Sequence, residues 1–428
     1  MTSSTTTGVP PAELPAWARR LLDHHEAGPL PTPADPMPKW LEDELRRAPL
    51  WLHIRGSAED PRVRAPYHLA EDVNSEPGLL RQTLSLRGRF DELVTELLAD
   101  VVERVVFTGA GSAFYASVLA AFVLSRLTTG VASEAVEAWE FCNYAQPSAA
   151  KSLLVAQSAT GGSFEVVAAA KRASELGMGT LALTNTEGSP LERQAATTVV
   201  MPAPQKTGPD ISVIPVRLLM TYLLALAWAR RRPAPGVGLA SLEDQLNRIP
   251  DIAQEFLGAD NRFAGLASRI ARQQAMLIVG GGPNWFSALE AGLKIEEESS
   301  TPCRAYTPGD FHHMAISLLG PSRTVLVFAV PGPSYERSVT CLRTARAAGS
   351  PAIAVVNDGD TAAVQEADES IVVPGGLDEL LFAPLATITG QLLGYHLGLA
   401  KGINPDCLGT DDIAHAKAWL VSFPFGSH

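Results

Sequence analysis

With 428 residues, 46% of them hydrophobic, and a formal net charge of −12, the chain has the size and composition of two α/β domains with appendages. The acidic balance argues against a nucleic-acid partner, and any anionic ligand must be held by local groups rather than by the overall field. The four cysteines, Cys142, Cys303, Cys341 and Cys407, show no CxxC spacing, which argues against disulfides and zinc sites and for a reducing cytoplasm.

The opening stretch, MTSSTTTGVPPAELPAWARR, has no apolar core and is not expected to act as a signal peptide. Residues 1–67 read as a Pro-rich extension in which only KWLEDELRRAPLWL has a helical period, carried by Trp40, Leu41, Leu45 and Leu50. The expectation is a partly ordered arm packed on a neighbour. From about Val101 the texture becomes strand, Gly-rich turn, helix, repeated. The most apolar run, LLMTYLLALAWA between Arg217 and Arg230, is shorter than a bilayer span and reads as a buried helix, so no membrane partner is expected.

The chain also contains a weak copy of itself. VVFTGAGSAFYASVLAA parallels LIVGGGPNWFSALEAGL, with Gly109 answering Gly280 at a shift of 171. Ser163 answers Ser334 at the same shift, and Asn185 answers Asn357 at a shift of 172. This predicts a duplicated βαβαβ unit, residues 68–240 and 241–428, each a parallel sheet flanked by helices. Ligands of such sheets bind at the carboxyl ends of strands, where helix N-termini converge.

One such junction is KSLLVAQSATGGSFEVVAAA, where an apolar run ends in Ser158, Thr160, Gly161, Gly162 and Ser163 before a helix begins. A helix start needs one hydroxyl as a cap; three hydroxyls with two glycines also suit a phosphate, which would meet unpaired N–H groups there. TGAGSAFYAS, from Thr108 to Ser117, is a second such turn, equally readable as a tight turn alone. In the second copy, Glu290, Lys294 and Glu297 share one helical face. That pattern fits a solvated ion pair, but the surrounding Ala288, Leu289, Leu293 and Ile295 also permit a buried acid–base group. The adjacent histidines of YTPGDFHHMA read as a loop suited to proton transfer more than to metal, since no further ligands lie at metal spacing.

Taken together, these motifs resemble the tandem SIS (sugar isomerase) family from about residue 68 to 428, beginning at YHLAEDVNSEPGLLRQTL. The resemblance is to the isomerase half of glucosamine-6-phosphate synthase, to amino-sugar-phosphate deaminase/isomerases and to fructosamine-6-phosphate deglycases. It implies two SIS domains in a flavodoxin-like, Rossmann-like three-layer sandwich. SATGGSFEVV stands at the family's SxSGxS/T loop, so Ser158, Thr160, Gly161 and Ser163 would take a sugar phosphate, with Gly111 and Ser112 of the earlier turn beside it. ALEAGLKIEEESS resembles ALEGALKLKEISY, which implies Glu297 as general base with Lys294 nearby. PGDFHHM resembles GELKHGP, which implies His313 as the ring-opening group, supplied by a partner subunit.

The departures are specific. Ala159 replaces the loop glutamine, Ala113 stands where a phosphate-contacting serine is common, and Pro215 and Arg217 alter the family's GPEIGVASTK pattern. The family's C-terminal sugar-contacting lysine has no aligned counterpart, and Lys417 or His415 is expected to replace it. No amidotransferase segment with an N-terminal cysteine precedes the repeat in this sequence, so ammonia or a preformed amine would have to serve.

The resemblance thus implies a phosphosugar isomerase that shuttles a proton between C1 and C2 through Glu297, without metal or cofactor, as a cytoplasmic homodimer with shared sites. Its rivals are a deaminase or deglycase on the same scaffold and a non-catalytic phosphosugar sensor.

Overall fold

The structure is a computed structural model that describes residues 16–25, 35–99, 102–258 and 260–423. Most of the opening stretch and of the proline run lies outside the described residues. Two five-stranded parallel sheets dominate it. The first comprises β1 (Arg104–Thr108), β2 (Ala132–Ala135), β3 (Ser152–Ser158), β4 (Gly179–Thr184) and β5 (Thr197–Val200) in the order β2-β1-β3-β4-β5. The second comprises β6 (Ala275–Val279), β7 (Cys303–Tyr306), β8 (Arg323–Phe328), β9 (Ala352–Asn357) and β10 (Glu369–Val373) in the order β7-β6-β8-β9-β10.

The two orders are the same, and the strand order reverses between β1 and β3 and again between β6 and β8. At such a reversal two strand-to-helix turns diverge and leave a crevice. The central strands are apolar without alternation because helices cover both faces: every residue of β3 is buried. The internal copy extends to hydrogen bonding. Asn185, just after β4, donates its side-chain amide to the Met201 carbonyl at 2.9 Å, and Asn357, at the end of β9, donates to the Leu377 carbonyl at 2.8 Å.

Two helices are buried on nearly every face and join the sheets through one continuous apolar core, Val213–Arg231 and Ala383–Lys401. The first is 19 residues long and, by length and composition, apolar enough to cross a membrane, yet it lies inside the protein. It exceeds the apolar run read in the sequence because Arg217 is also buried within it. The second packs along the Asn284–Ser299 helix through Gly390, Gly394 and Gly398, spaced four apart on one face. A Cβ at Gly390 would lie 2.6 Å from the Ala291 Cα, and one at Gly394 would lie 2.5 Å from the Glu298 Oε2. This glycine seam lets the backbones approach and so fixes the helix that carries Glu290, Lys294 and Glu297.

The extension differs from expectation. Its described helices, Ala16–His25, Lys39–Arg47 and Leu50–Arg55, share a small separate core with the chain's own Ile413–Ser422 helix, built on Leu41, Leu45, Leu50 and Ala416. The apolar face of the arm finds its partner at the far end of the same chain. The tail also caps the Asp406-facing end of the His68–Leu84 helix: its Asp406 carboxylate accepts the first two N–H groups, of His68 and Leu69, at 2.9 Å each.

Candidate active site

The loop after β3 is braced from within. The Ser158 Oγ accepts the Gly161 N–H at 3.0 Å, the Thr160 Oγ1 accepts the Gly162 N–H at 3.1 Å, and the Ser158 and Ser163 hydroxyls lie 3.1 Å apart. Gly161 takes a φ of +61°, and a Cβ there would collide with the Ser189 side chain, so glycine is needed on both counts. Ser163 opens the Phe164–Glu175 helix, but its hydroxyl makes no capping bond to it. The helix start therefore keeps hydroxyl protons and a positive dipole end available to an anion. Beside it, Gly111 at φ +56° opens the Ser112–Leu127 helix.

The matching turn of the second copy differs in its side chains. There Ala329 and Pro331 stand where the first copy has Ser158 and Thr160, only Ser334 of the three hydroxyls is kept, and the Glu379 carboxylate rests directly against Gly332. The duplicated architecture thus presents its hydroxyl cradle once.

A cavity of about 260 Å³ is lined by Gly111, Ser112, Ser158, Thr160 and Ser163 from the first domain and by Leu293 and Glu297 from the second. Glu297 is 22% exposed, whereas Glu290 and Lys294 behind it are wholly buried. The Lys294 ammonium donates to the Glu297 Oε2 at 2.6 Å and lies 3.6 Å from the Glu290 Oε1, which also accepts the Ser112 hydroxyl at 3.0 Å. Burial pushes the Glu297 and Glu290 carboxyls above the ordinary range, with Lys294 opposing it in both. Burial works against the Lys294 charge, but Glu297, Glu290 and Asp210 outweigh it and hold the ammonium protonated. The arrangement is a largely desolvated carboxylate hydrogen-bonded to a fixed ammonium, which suits a general base.

The three successive glutamates have different surroundings. Glu296 turns away to accept the Cys303 N–H at 2.8 Å, and Glu298 is buried against Gly394 with neither oxygen hydrogen-bonded. Only Glu297 reaches the cavity.

A third wall comes from residues the sequence reading did not single out. Trp51, Ile54 and Arg55 of the arm and Leu408, Trp419 and Phe423 of the tail line the same cavity, as does Asp210 of the loop before the Val213–Arg231 helix. Arg55 binds the Asp210 carboxylate at 2.7 Å. Burial opposes ionisation of Asp210, but Arg55, Arg217 and Lys294 outweigh it and lower its pKa. The loop itself is anchored by Asp72, which accepts the Lys206 N–H and the Thr207 hydroxyl at 3.0 Å each. The helical period around Trp51 was the one local signal for this wall; its pairing with Trp419 is set by the fold.

The other expected residues fall as follows. Lys294 and Gly161 support the cavity from behind it. His313 is exposed and lines no part of the cavity in its own protomer, and the expected loop around it is instead helical: one turn at Pro308–Asp310, a π-helical turn at Phe311–Ala315 and a 3₁₀ turn at Ile316–Leu318. Its neighbour His312 packs with its Nε2 3.5 Å from the Cys341 Sγ. Lys417 and His415 are exposed and line no part of the cavity; His415 lies against Asp412 at 3.2 Å. The helix register explains this, because Ala416 and Trp419 face inward, which turns 415 and 417 outward. The cation that does line the cavity is Arg55. Among the described residues no cluster of three or more His, Cys, Asp or Glu side chains suits a metal ion.

Comparison with known proteins agrees with this architecture. The SIS domain family matches residues 98–227 and 269–400, and the chain belongs to that family. It is 28% identical over 379 residues to the glutamine–fructose-6-phosphate aminotransferase (isomerizing) of Gloeobacter violaceus, covering 85% of this chain and 60% of that protein. The enzyme of the same name from Thermus thermophilus is 27% identical over 352 residues, 80% of this chain and 57% of that one. The chain thus spans somewhat more than half the length of these relatives. Among solved structures, the C-terminal domain of glucosamine-fructose-6-phosphate aminotransferase from Francisella tularensis superposes with a TM-score of 0.73 at 18% identity, over 80% of this chain and 98% of that one. Tagatose-6-phosphate ketose/aldose isomerase from Escherichia coli gives 0.67 at 18% identity, over 80% and 95% respectively. Glucosamine-6-phosphate deaminase from Thermotoga maritima gives 0.60 at 19% identity, over 79% and 96%. At these identities the structural likeness is one of fold.

Proposed function

We propose that the chain is a phosphosugar isomerase that acts on a hexose or hexosamine 6-phosphate by proton transfer between C1 and C2. The observation that carries this reading is the Lys294-held carboxylate of Glu297 in one cavity with the hydroxyl loop of Ser158, Thr160 and Ser163. The loop would take the phosphate, whose binding energy orients the open-chain sugar. Glu297 would remove the proton from one carbon, becoming neutral, and return it to the next through an enediol or enolamine, with Lys294 fixed beside it throughout.

Ring opening falls to His313 of a second copy in this reading. Its surroundings support a covered position: Met314 and Ile316, its exposed neighbours, are apolar side chains 48% and 58% open in the isolated chain. The chain would therefore work as a homodimer.

The test is direct. Fructose 6-phosphate, glucose 6-phosphate and glucosamine 6-phosphate are each incubated with the protein in deuterated water and followed by NMR. Deuterium at C1 or C2 of one of them, absent with Glu297→Gln, supports isomerisation. Release of ammonia from glucosamine 6-phosphate, with or without exchange, favours deamination, and binding with neither exchange nor ammonia favours a sensor.

A further inference from the structure

The three walls of the cavity differ in chemistry. The first offers hydroxyls and the second a carboxylate, but the arm and tail offer Trp51, Ile54, Leu408, Trp419 and Phe423. A bare hexose phosphate can offer such a surface only the C–H groups of its carbon skeleton, each beside a polar group, and no larger apolar part. The cation on this wall, Arg55, is paired with Asp210 at 2.7 Å.

This surface is built, not incidental. The Trp51 and Trp419 rings meet edge to face at 5.2 Å, and Trp419 stacks on Phe423 at 5.1 Å. Trp419 packs on the small arm–tail core, and Trp51 reaches it through the contact between the two rings. Leu408 adds a second, independent sign. Its φ is +51°, a left-handed conformation that costs a branched residue and that glycine would adopt freely, yet a leucine stands there and lines the cavity.

We propose that the ligand of this cavity is a phosphosugar bearing an uncharged apolar substituent, an alkyl or aryl group that packs against Trp51, Leu408, Trp419 and Phe423. The proposal rests on the phosphosugar reading above and adds to it the chemical class of the substituent. The phosphate and the sugar carbons would be held by the first two walls, and the substituent by the third. Selectivity then comes from apolar burial, which a plain hexose phosphate cannot supply.

The experiment compares two probes by titration calorimetry, 1-amino-1-deoxyfructose 6-phosphate and its N-benzyl derivative. The wild-type protein should bind the benzyl compound about tenfold or more tightly than the parent amine, since a buried ring contributes at least that much. Trp51→Ala and Trp419→Ala should each bring the two affinities to within about threefold of one another. Leu408→Gly relieves backbone strain, so it folds even where the tryptophan variants do not; it should lower the preference severalfold at an unchanged or higher Tm. Equal affinities in the wild type, or a preference that survives Leu408→Gly undiminished, overturn the proposal while leaving the phosphosugar reading intact. Failure of both probes to bind overturns this proposal; if fructose 6-phosphate, glucose 6-phosphate and glucosamine 6-phosphate fail to bind as well, the phosphosugar reading falls with it.

Discussion

Lys294 donates to Glu297 at 2.6 Å one turn along a single helix, with no part of the lysine side chain open to solvent and 22% of the glutamate open. A cation so placed cannot leave, and a carboxylate so placed can still meet a ligand. Replacing Glu297 by Gln keeps the size and the contact with Lys294 but removes the base. Turnover should fall by roughly two to four orders of magnitude with ligand affinity retained. Parallel calorimetry and deuterium exchange check this, and wild-type exchange in the variant would rule out Glu297 as the proton shuttle.

The pH profile follows from the same pair. Burial raises the Glu297 pKa above the ordinary carboxyl value of 4.5, and Lys294 is what opposes that rise. Activity needs the ionised form, so kcat/KM should climb through an acid limb above pH 4.5. In Lys294→Met the opposing charge is gone, and the limb should move to higher pH. A limb that stays in place or moves down would show that another group controls it.

Ser158 and Ser163 hold one another at 3.1 Å, and Ser158 also braces Gly161. Their double replacement by alanine removes two donors to a phosphate dianion, each charge-assisted bond contributing about 1.5–3 kcal/mol. Phosphosugar affinity should drop on the order of a hundredfold or more. Ser158→Ala alone should lose more than Ser163→Ala alone, because it also frees the loop.

If His313 serves a neighbour's cavity, neither Glu297→Gln nor His313→Ala homodimers turn over efficiently, while mixed dimers hold one site with both residues intact. Mixing and exchange of the two purified variants should restore part of the wild-type rate. Folded, exchanging mixtures that stay inactive count against a shared site.

Glu298 tests stability rather than turnover. Both its oxygens lack a hydrogen bond, and burial pushes its pKa well above 4.5. A raised carboxyl pKa means that the folded state binds more protons than the unfolded one above pH 4.5, so this group lowers stability as pH rises toward the folded pKa. In Glu298→Gln that slope disappears. The Tm of the variant, relative to wild type, should increase between about pH 5 and pH 8, with deuterium exchange unchanged.

The duplicated sheets and the hydroxyl loop were legible because their signals are local: apolar runs, glycines at turns, and punctuation repeated at a shift of 171. Glu297 was legible through helical spacing, although its separation from Glu296 and Glu298 came from what each touches. The aromatic wall was not legible, since Trp51 and Trp419 are 368 positions apart in the sequence and nothing local pairs them. The glycine seam of Gly390, Gly394 and Gly398 was visible as a spacing, but its purpose depends on a helix about a hundred residues earlier. The same limit applies to charge: Lys417 lies outside the cavity, and the cation that lines it, Arg55, comes from the beginning of the chain.

The capping of His68 and Leu69 by Asp406 spans 338 and 337 positions. During synthesis the ribosome delivers both sheets long before that carboxylate, and Trp419 emerges later still. A nascent chain can thus bury most of its core while the His68 end of its lead-in helix is uncapped and its ligand chamber lacks a roof. The cavity walls are therefore complete only after residues 406–423 have left the exit tunnel.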